Sequence, residues 1–166
     1  AHMHSFELNA ERVSSTRIRE SLEKADFATA EALLGRPYSI SGRVIFGRQL
    51  GQVIGTRTAN LQLRRLRAPL SGVYTVEVSG GGLKNAPGVA NVGVRPTVDD
   101  SIRANLEVHL LDREIDLYGR HIEVTFRHKL REEMKFGSVA ELRENIERDI
   151  EKTRTWFSRG QNSKKI

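Results

Sequence analysis

The 166-residue sequence contains no cysteine. That absence excludes a disulfide framework, a cysteine nucleophile and any thiolate metal site. No run of 18 apolar residues occurs, so no membrane-spanning helix is expected. No signal-peptide pattern is visible, and a cytoplasmic address is expected. Only 6% of residues are aromatic, which is poor material for the stacking platforms that hold single-stranded nucleic acid. Familiar phosphate motifs are missing too. No G-K-[ST] follows a glycine loop, and no G-x-G-x-x-G opens a helix. No Ser/His/Asp arrangement can be assembled, because His109, His121 and His128 stand in strand-like segments with no nucleophile motif attached.

The chain does have a basic balance, with a formal net charge of +6 and a pI near 10.0. Nucleic acid, an anionic surface or a phosphate-bearing small ligand would each suit that charge. The arginines and lysines are scattered, however, and the densest cluster, "LRRLR" at 63–67, is short. They read as solvated surface. The content of 38% hydrophobic and 29% charged residues is that of a globular chain of one domain. The opening Ala1-His2-Met3-His4 reads as a tag remnant, and residues 1–13 as that remnant plus a linker.

Residues 14–34 predict two short helices. Ser14 or Ser15 caps the first, Asp26 caps the second, and Gly35 and Pro37 end the pair. Period-two alternation follows, clearest in "GVYTVEVS", with "YSISGRVIF", "TANLQL", "GVANVGV", "ANLEVHLLD" and "HIEVTFRHKL" around it. Six short strands without intervening helices predict an antiparallel barrel or sandwich. A last helix is announced by Ser138 and Glu141, a capping box, and by the stripe Leu142, Ile146, Ile150 and Trp156–Phe157.

Three motifs carry possible chemistry. "GRQLGQVIGTRTANLQL" (47–63) spaces Gly47, Gly51 and Gly55 four apart. This is either a wide hairpin or a concavity whose N–H groups approach phosphate oxygens. Thr58 and Asn60, two apart on a strand, share a face and offer neutral hard oxygens suited to Mg²⁺, or they are ordinary solvent-side residues. Glu107 alternates with Leu106 and Val108. Its carboxylate can take a proton from an alcohol brought within reach, or it is simply the exposed side of a strand. His109 shares its face, but a third ligand for a Glu107–His109 metal pair is missing.

In order along the chain come "LLGRPYSISGRV", the glycine stretch, "TANL" (58–61), "GVY" (72–74) and "GVANVGVRPT" (88–97). "LEVHLLD…DLYG" (106–119), "LREEMKF" (130–136) and the terminal helix follow. Together they resemble the riboflavin kinase module of bacterial bifunctional riboflavin kinase/FMN adenylyltransferases (FAD synthetases). "VSSTRIRES" upstream resembles the last piece of the adenylyltransferase module. The resemblance implies a mostly β protein: a six-stranded antiparallel Greek-key barrel with a C-terminal helix and short N-terminal helices. The expected divisions are 14–34 for the adenylyltransferase remnant, 35–158 for the kinase domain and 159–166 for a tail.

The implied reaction moves the ATP γ-phosphoryl to the riboflavin 5′-hydroxyl, giving FMN and ADP, with no FMN adenylyltransferase activity from this piece. By motif, Glu107 is the catalytic base, and Thr58 and Asn60 hold Mg²⁺, with Mn²⁺ or Zn²⁺ as alternatives. Gly47, Gly51, Gly55, Asp112 and Tyr118 lie by the nucleotide. Arg95, Thr97 and Arg131, with Asn60 and Glu107, serve the flavin. The implied partners are riboflavin/FMN, ATP/ADP and the missing N-terminal module; neither nucleic acid nor membrane is expected. One departure stands out: Thr56-Arg57 replace the Phe-Pro of the family's G-F-P-T-A-N run. A flavin- or nucleotide-binding barrel with weak or no kinase activity is therefore the alternative.

Overall fold

The computed structural model of the chain describes residues 6–8, 11–13, 15–45, 58–63, 69–96 and 102–163. Two short strands, β1 (Phe6–Leu8) and β2 (Glu11–Val13), pair antiparallel where a linker was read. Helices α1 (Ser15–Glu23) and α2 (Phe27–Leu34) follow. The Asp26 side chain accepts from the Thr29 N–H at 3.1 Å. That bond, with one from the Thr29 hydroxyl, holds the Asp26 carboxyl below its ordinary range. Gly35 ends α2 in the left-handed conformation (φ 77°).

The next six strands close into a barrel: β3 (Ser39–Ile45), β4 (Thr58–Gln62), β5 (Gly72–Gly80), β6 (Leu83–Pro96), β7 (Ile102–Leu110) and β8 (His121–Arg131). Their order around it is β3-β4-β7-β6-β5-β8, and all pairs are antiparallel. The β5-β6-β7 meander has β4 beside its far strand, which is the Greek-key arrangement expected. Register shifts between Val73 and Tyr74 and between Thr75 and Val76 bend β5 against β8, a device that helps a sheet close. Strand β6 is longer than the "GVANVGV" read from sequence and runs through Pro87. The proline has no N–H to give, but its carbonyl accepts from Leu111 at 3.0 Å.

Alternation decides what fills the barrel. Leu61, Val76, Val78, Ala90, Val92, Leu106, Val108, Ile122 and Val124 are buried together inside it. Each large member contributes roughly 1.5–3 kcal/mol on burial. Aromatic rings pack together at α2: Phe27 meets Tyr74 at 5.9 Å and Phe126 at 6.3 Å, and Tyr38 lies 5.9 Å from Phe126. The Tyr74 hydroxyl donates to the Ser71 carbonyl at 3.0 Å, and burial pushes its pKa up to about 12. Leu22 and Ala30 of the two N-terminal helices belong to the same core cluster as the barrel.

The last helix, α3 (Val139–Ser163), lies on the outer face. The Ser138 hydroxyl accepts from the Glu141 N–H at 3.2 Å, but the Glu141 carboxylate reaches the Gly137 N–H, one residue earlier than a capping box requires. Ile150 packs on Val73, Val89 and Leu111, as the apolar stripe predicted. That stripe also carries two buried polar residues, Asp149 and Thr153.

Candidate active site

Because Ala59, Leu61, Leu106 and Val108 point into the barrel, Thr58, Asn60 and Glu107 must point out of it. Register then brings them together. Asn60 of β4 stands directly opposite Glu107 of β7, and Thr58 stands opposite His109. Directly opposed residues have Cβ atoms about 5 Å apart, so these side chains share one small area. On the other side of Glu107, β6 presents Asn91, also in register. Asn91 is in turn opposite Val73 of β5, and Val73 is opposite Arg131 of β8. One row therefore crosses five strands: Asn60, Glu107, Asn91, Val73, Arg131.

Asn60 is buried at 6% exposure although it faces outward, while Glu107 is half-buried. The Asn105 amide donates to a Glu107 carboxylate oxygen at a long 3.5 Å. The Oδ1 of Asn91 is buried and has no hydrogen-bond partner among the described residues. Two residues beyond Asn91 on the same face, Gly93 leaves space that the Glu133 carboxylate fills; a Cβ there would lie 2.5 Å from Glu133 Cδ. Among the described residues, no group of three or more His, Asp or Glu side chains gathers in a way that could hold a metal. The neutral oxygens of Thr58 and Asn60, beside a single carboxylate, instead fit a hard cation that takes its remaining ligands from phosphate and water.

The other expected site residues lie on further elements. Arg131 is on the row, but its Nη2 donates to Asp149 at 2.9 Å, its Nε to the same carboxylate at 3.1 Å and its Nη1 to the Glu132 carbonyl at 3.1 Å. Its guanidinium also lies 5.7 Å from the Phe136 ring. Asp112, in a left-handed turn (φ 55°), is held by two bonds of 2.6 and 2.7 Å from Arg154 of α3, which keep its carboxyl below the ordinary range. Tyr118 is 52% exposed in the turn before β8. Arg95 lies in β6, opposite Arg103. Gly47, Gly51, Gly55, Thr56, Arg57 and Thr97 lie outside the described residues.

The barrel has counterparts among solved structures. In fold alone, the chain matches a solved riboflavin kinase from Trypanosoma brucei, with a TM-score of 0.54 and 24% identity over 75% of this chain and 82% of that one. It also matches a structure named as a macrolide-efflux protein from Streptococcus pneumoniae, with a TM-score of 0.77 and 35% identity over 92% of this chain and 50% of that one. Among the described residues no helix is long and apolar enough to cross a membrane.

The family model for flavokinase (riboflavin kinase) matches residues 34–157, and the chain belongs to that family. The bifunctional riboflavin kinase/FMN adenylyltransferase of Escherichia coli (strain K12) is 54% identical over 146 residues, which are 88% of this chain and 46% of that protein. Its counterpart from Haemophilus influenzae is 48% identical over 156 residues, 93% of this chain and 50% of that protein. The chain thus spans about half the length of the curated relatives it matches, on the riboflavin kinase side.

Proposed function

We propose that this chain catalyses transfer of the ATP γ-phosphoryl to the 5′-hydroxyl of riboflavin, and that in the full-length protein it works beside an FMN adenylyltransferase module in the cytoplasm. The observation that carries the reading is the register of Asn60 against Glu107, with Thr58 two residues along. It sets a carboxylate beside a pair of neutral oxygen ligands on rigid strands.

In the reaction, the ribityl 5′-oxygen forms a bond to the γ-phosphorus while the bond from that phosphorus to the β-γ bridging oxygen breaks, releasing ADP. Glu107 accepts the hydroxyl proton, so that no free alkoxide is needed. Thr58 and Asn60 would hold Mg²⁺, which when bound neutralises phosphate charge; Mn²⁺ or Zn²⁺ would satisfy the same oxygens less selectively. Neutral ligands leave the cation's full charge for ATP. Positioning of this kind supplies most of the catalysis in phosphoryl transfer. By the family's motif, Gly47, Gly51 and Gly55 would serve the phosphates, Asp112 and Tyr118 the nucleotide, and Arg95 and Thr97 the flavin. Arg131 belongs to the flavin side by the same motif, but with its guanidinium held by Asp149 its part there would be structural.

The Thr56-Arg57 dipeptide favours a second reading, in which the barrel binds flavin and nucleotide but turns over poorly. The test is purified chain with riboflavin and Mg-ATP. FMN and ADP appearing in equal amounts support the kinase. Flavin binding without FMN supports the second reading, and restoring Phe and Pro at positions 56 and 57 then raises turnover.

A further inference from the structure

Two buried polar pairings on the outer face of the barrel are satisfied within the protein, and the buried Arg127 Nε, though without a hydrogen bond among the described residues, lies 3.3 Å from the Glu77 carboxylate. The Thr75 and Thr153 hydroxyls bond at 3.0 Å, and Asp149 takes the Arg131 fork. Asn91 differs: its Oδ1 is buried and unpartnered among the described residues. A buried carbonyl with no donor is costly, and native structures rarely leave one unless something else supplies the donor. Register puts Asn91 beside Glu107 on the side away from Asn60. Beyond it the row becomes apolar, with Val73 packed against α3 through the cluster that includes Ile150. Asn91 is therefore the last polar group before the helix. Among the described residues nothing supplies the missing donor, and the open approach along the row is past Glu107 from the Asn60 end.

We propose that Asn91 Oδ1 accepts a hydrogen bond from a secondary hydroxyl of the acceptor's polyol chain, and so sets the reacting primary hydroxyl against Glu107. This rests on the reading of the row as the acceptor side of a phosphoryl-transfer site. An alcohol that gives its proton to Glu107 and its oxygen to a phosphoryl group near Asn60 has to continue toward β6, because β4 is taken by the phosphates. A polyol chain presents a donor every carbon along that path, and a carboxamide oxygen selects such a donor over a plain methylene. Asn91 would then discriminate between polyol-bearing acceptors and alcohols that lack the neighbouring hydroxyl.

The experiment is a cycle of wild type and Asn91→Ala against riboflavin and its 2′-, 3′- and 4′-deoxy analogues, read as kcat/KM and as flavin affinity from fluorescence quenching. Wild type is expected to lose about 10- to 100-fold in kcat/KM with one of the three analogues. Asn91→Ala is expected to lose a similar factor with riboflavin and almost nothing further with that same analogue. Losses that multiply for all three analogues overturn the proposal. So does a wild type that uses all three as well as riboflavin, a result that needs no variant to fold. Multiplying losses in a chain that still makes FMN overturn this assignment alone, whereas absence of both FMN formation and flavin binding overturns the reading of the site as well.

Discussion

The row that crosses the outer face has two polar ends that solve the same problem differently. At the β8 end, Arg131 is charged, 18% exposed at its side chain, and matched to Asp149 at 4%. Next to it Thr75 and Thr153 satisfy each other. At the β4 end, Asn60 and Asn91 are neutral and flank a carboxylate, and one of their oxygens has no partner among the described residues. The first end closes its accounts internally and fastens α3 to the barrel. The second leaves a buried oxygen without a partner among the described residues, the capacity we propose a ligand fills. Burial of polar groups is thus no guide to function by itself; the guide is whether the protein satisfies them.

Substitutions should separate the two ends. The largest effect is expected from Asn60→Ala, which should cut kcat/KM for Mg-ATP by about 10²-fold or more while moving the urea midpoint little. Steady-state kinetics beside an unfolding curve would show it. Asp149→Ala should do the reverse and lower stability by roughly 3 kcal/mol, because it strands a largely buried guanidinium; partial exposure of Arg131 keeps the cost at the low end. Smaller again is Thr153→Val, at about 1–2 kcal/mol from the abandoned Thr75 hydroxyl. In the double variant Thr75→Val/Thr153→Val the loss should shrink, since no lone hydroxyl remains. Activity per folded molecule should be unchanged in both Thr variants.

The smallest effect concerns the exposed Asp112–Arg154 contact. Arg154 lowers the folded pKa of Asp112, so its stabilisation is fully present above the ordinary carboxylate range and is lost as pH falls through the lowered folded value. Asp112→Asn, which also tolerates the left-handed turn, should therefore be slightly less stable than wild type at neutral pH and equal to it in strong acid. Thermal melts across that range would register the convergence.

Much of this was legible in the residues. The alternation in "GVYTVEVS" predicted a strand, and it appears as β5. Asp26, Gly35 and Ser138 acted as the caps their types suggest. Thr58 and Asn60 on one face, and Glu107 opposite Leu106 and Val108, followed from period two. Asn91 did not stand out, because "GVANVGV" reads as an apolar run with one polar interruption. Only strand register, set by pairing of distant segments, places it next to Glu107. The partner of Arg131 was hidden for a similar reason: Asp149 is 18 residues away on a helix whose polar residues all look solvent-facing in sequence. Contacts fixed by tertiary docking leave no local periodicity to read.

The central claim is that Glu107 takes the proton of the acceptor alcohol. Single-turnover formation of FMN from riboflavin and Mg-ATP, measured for wild type and Glu107→Gln at matched flavin occupancy, tests it directly. A fall of about 10²- to 10⁴-fold in rate with flavin affinity retained is the predicted result. A Glu107→Gln chain that forms FMN at the wild-type rate would contradict it.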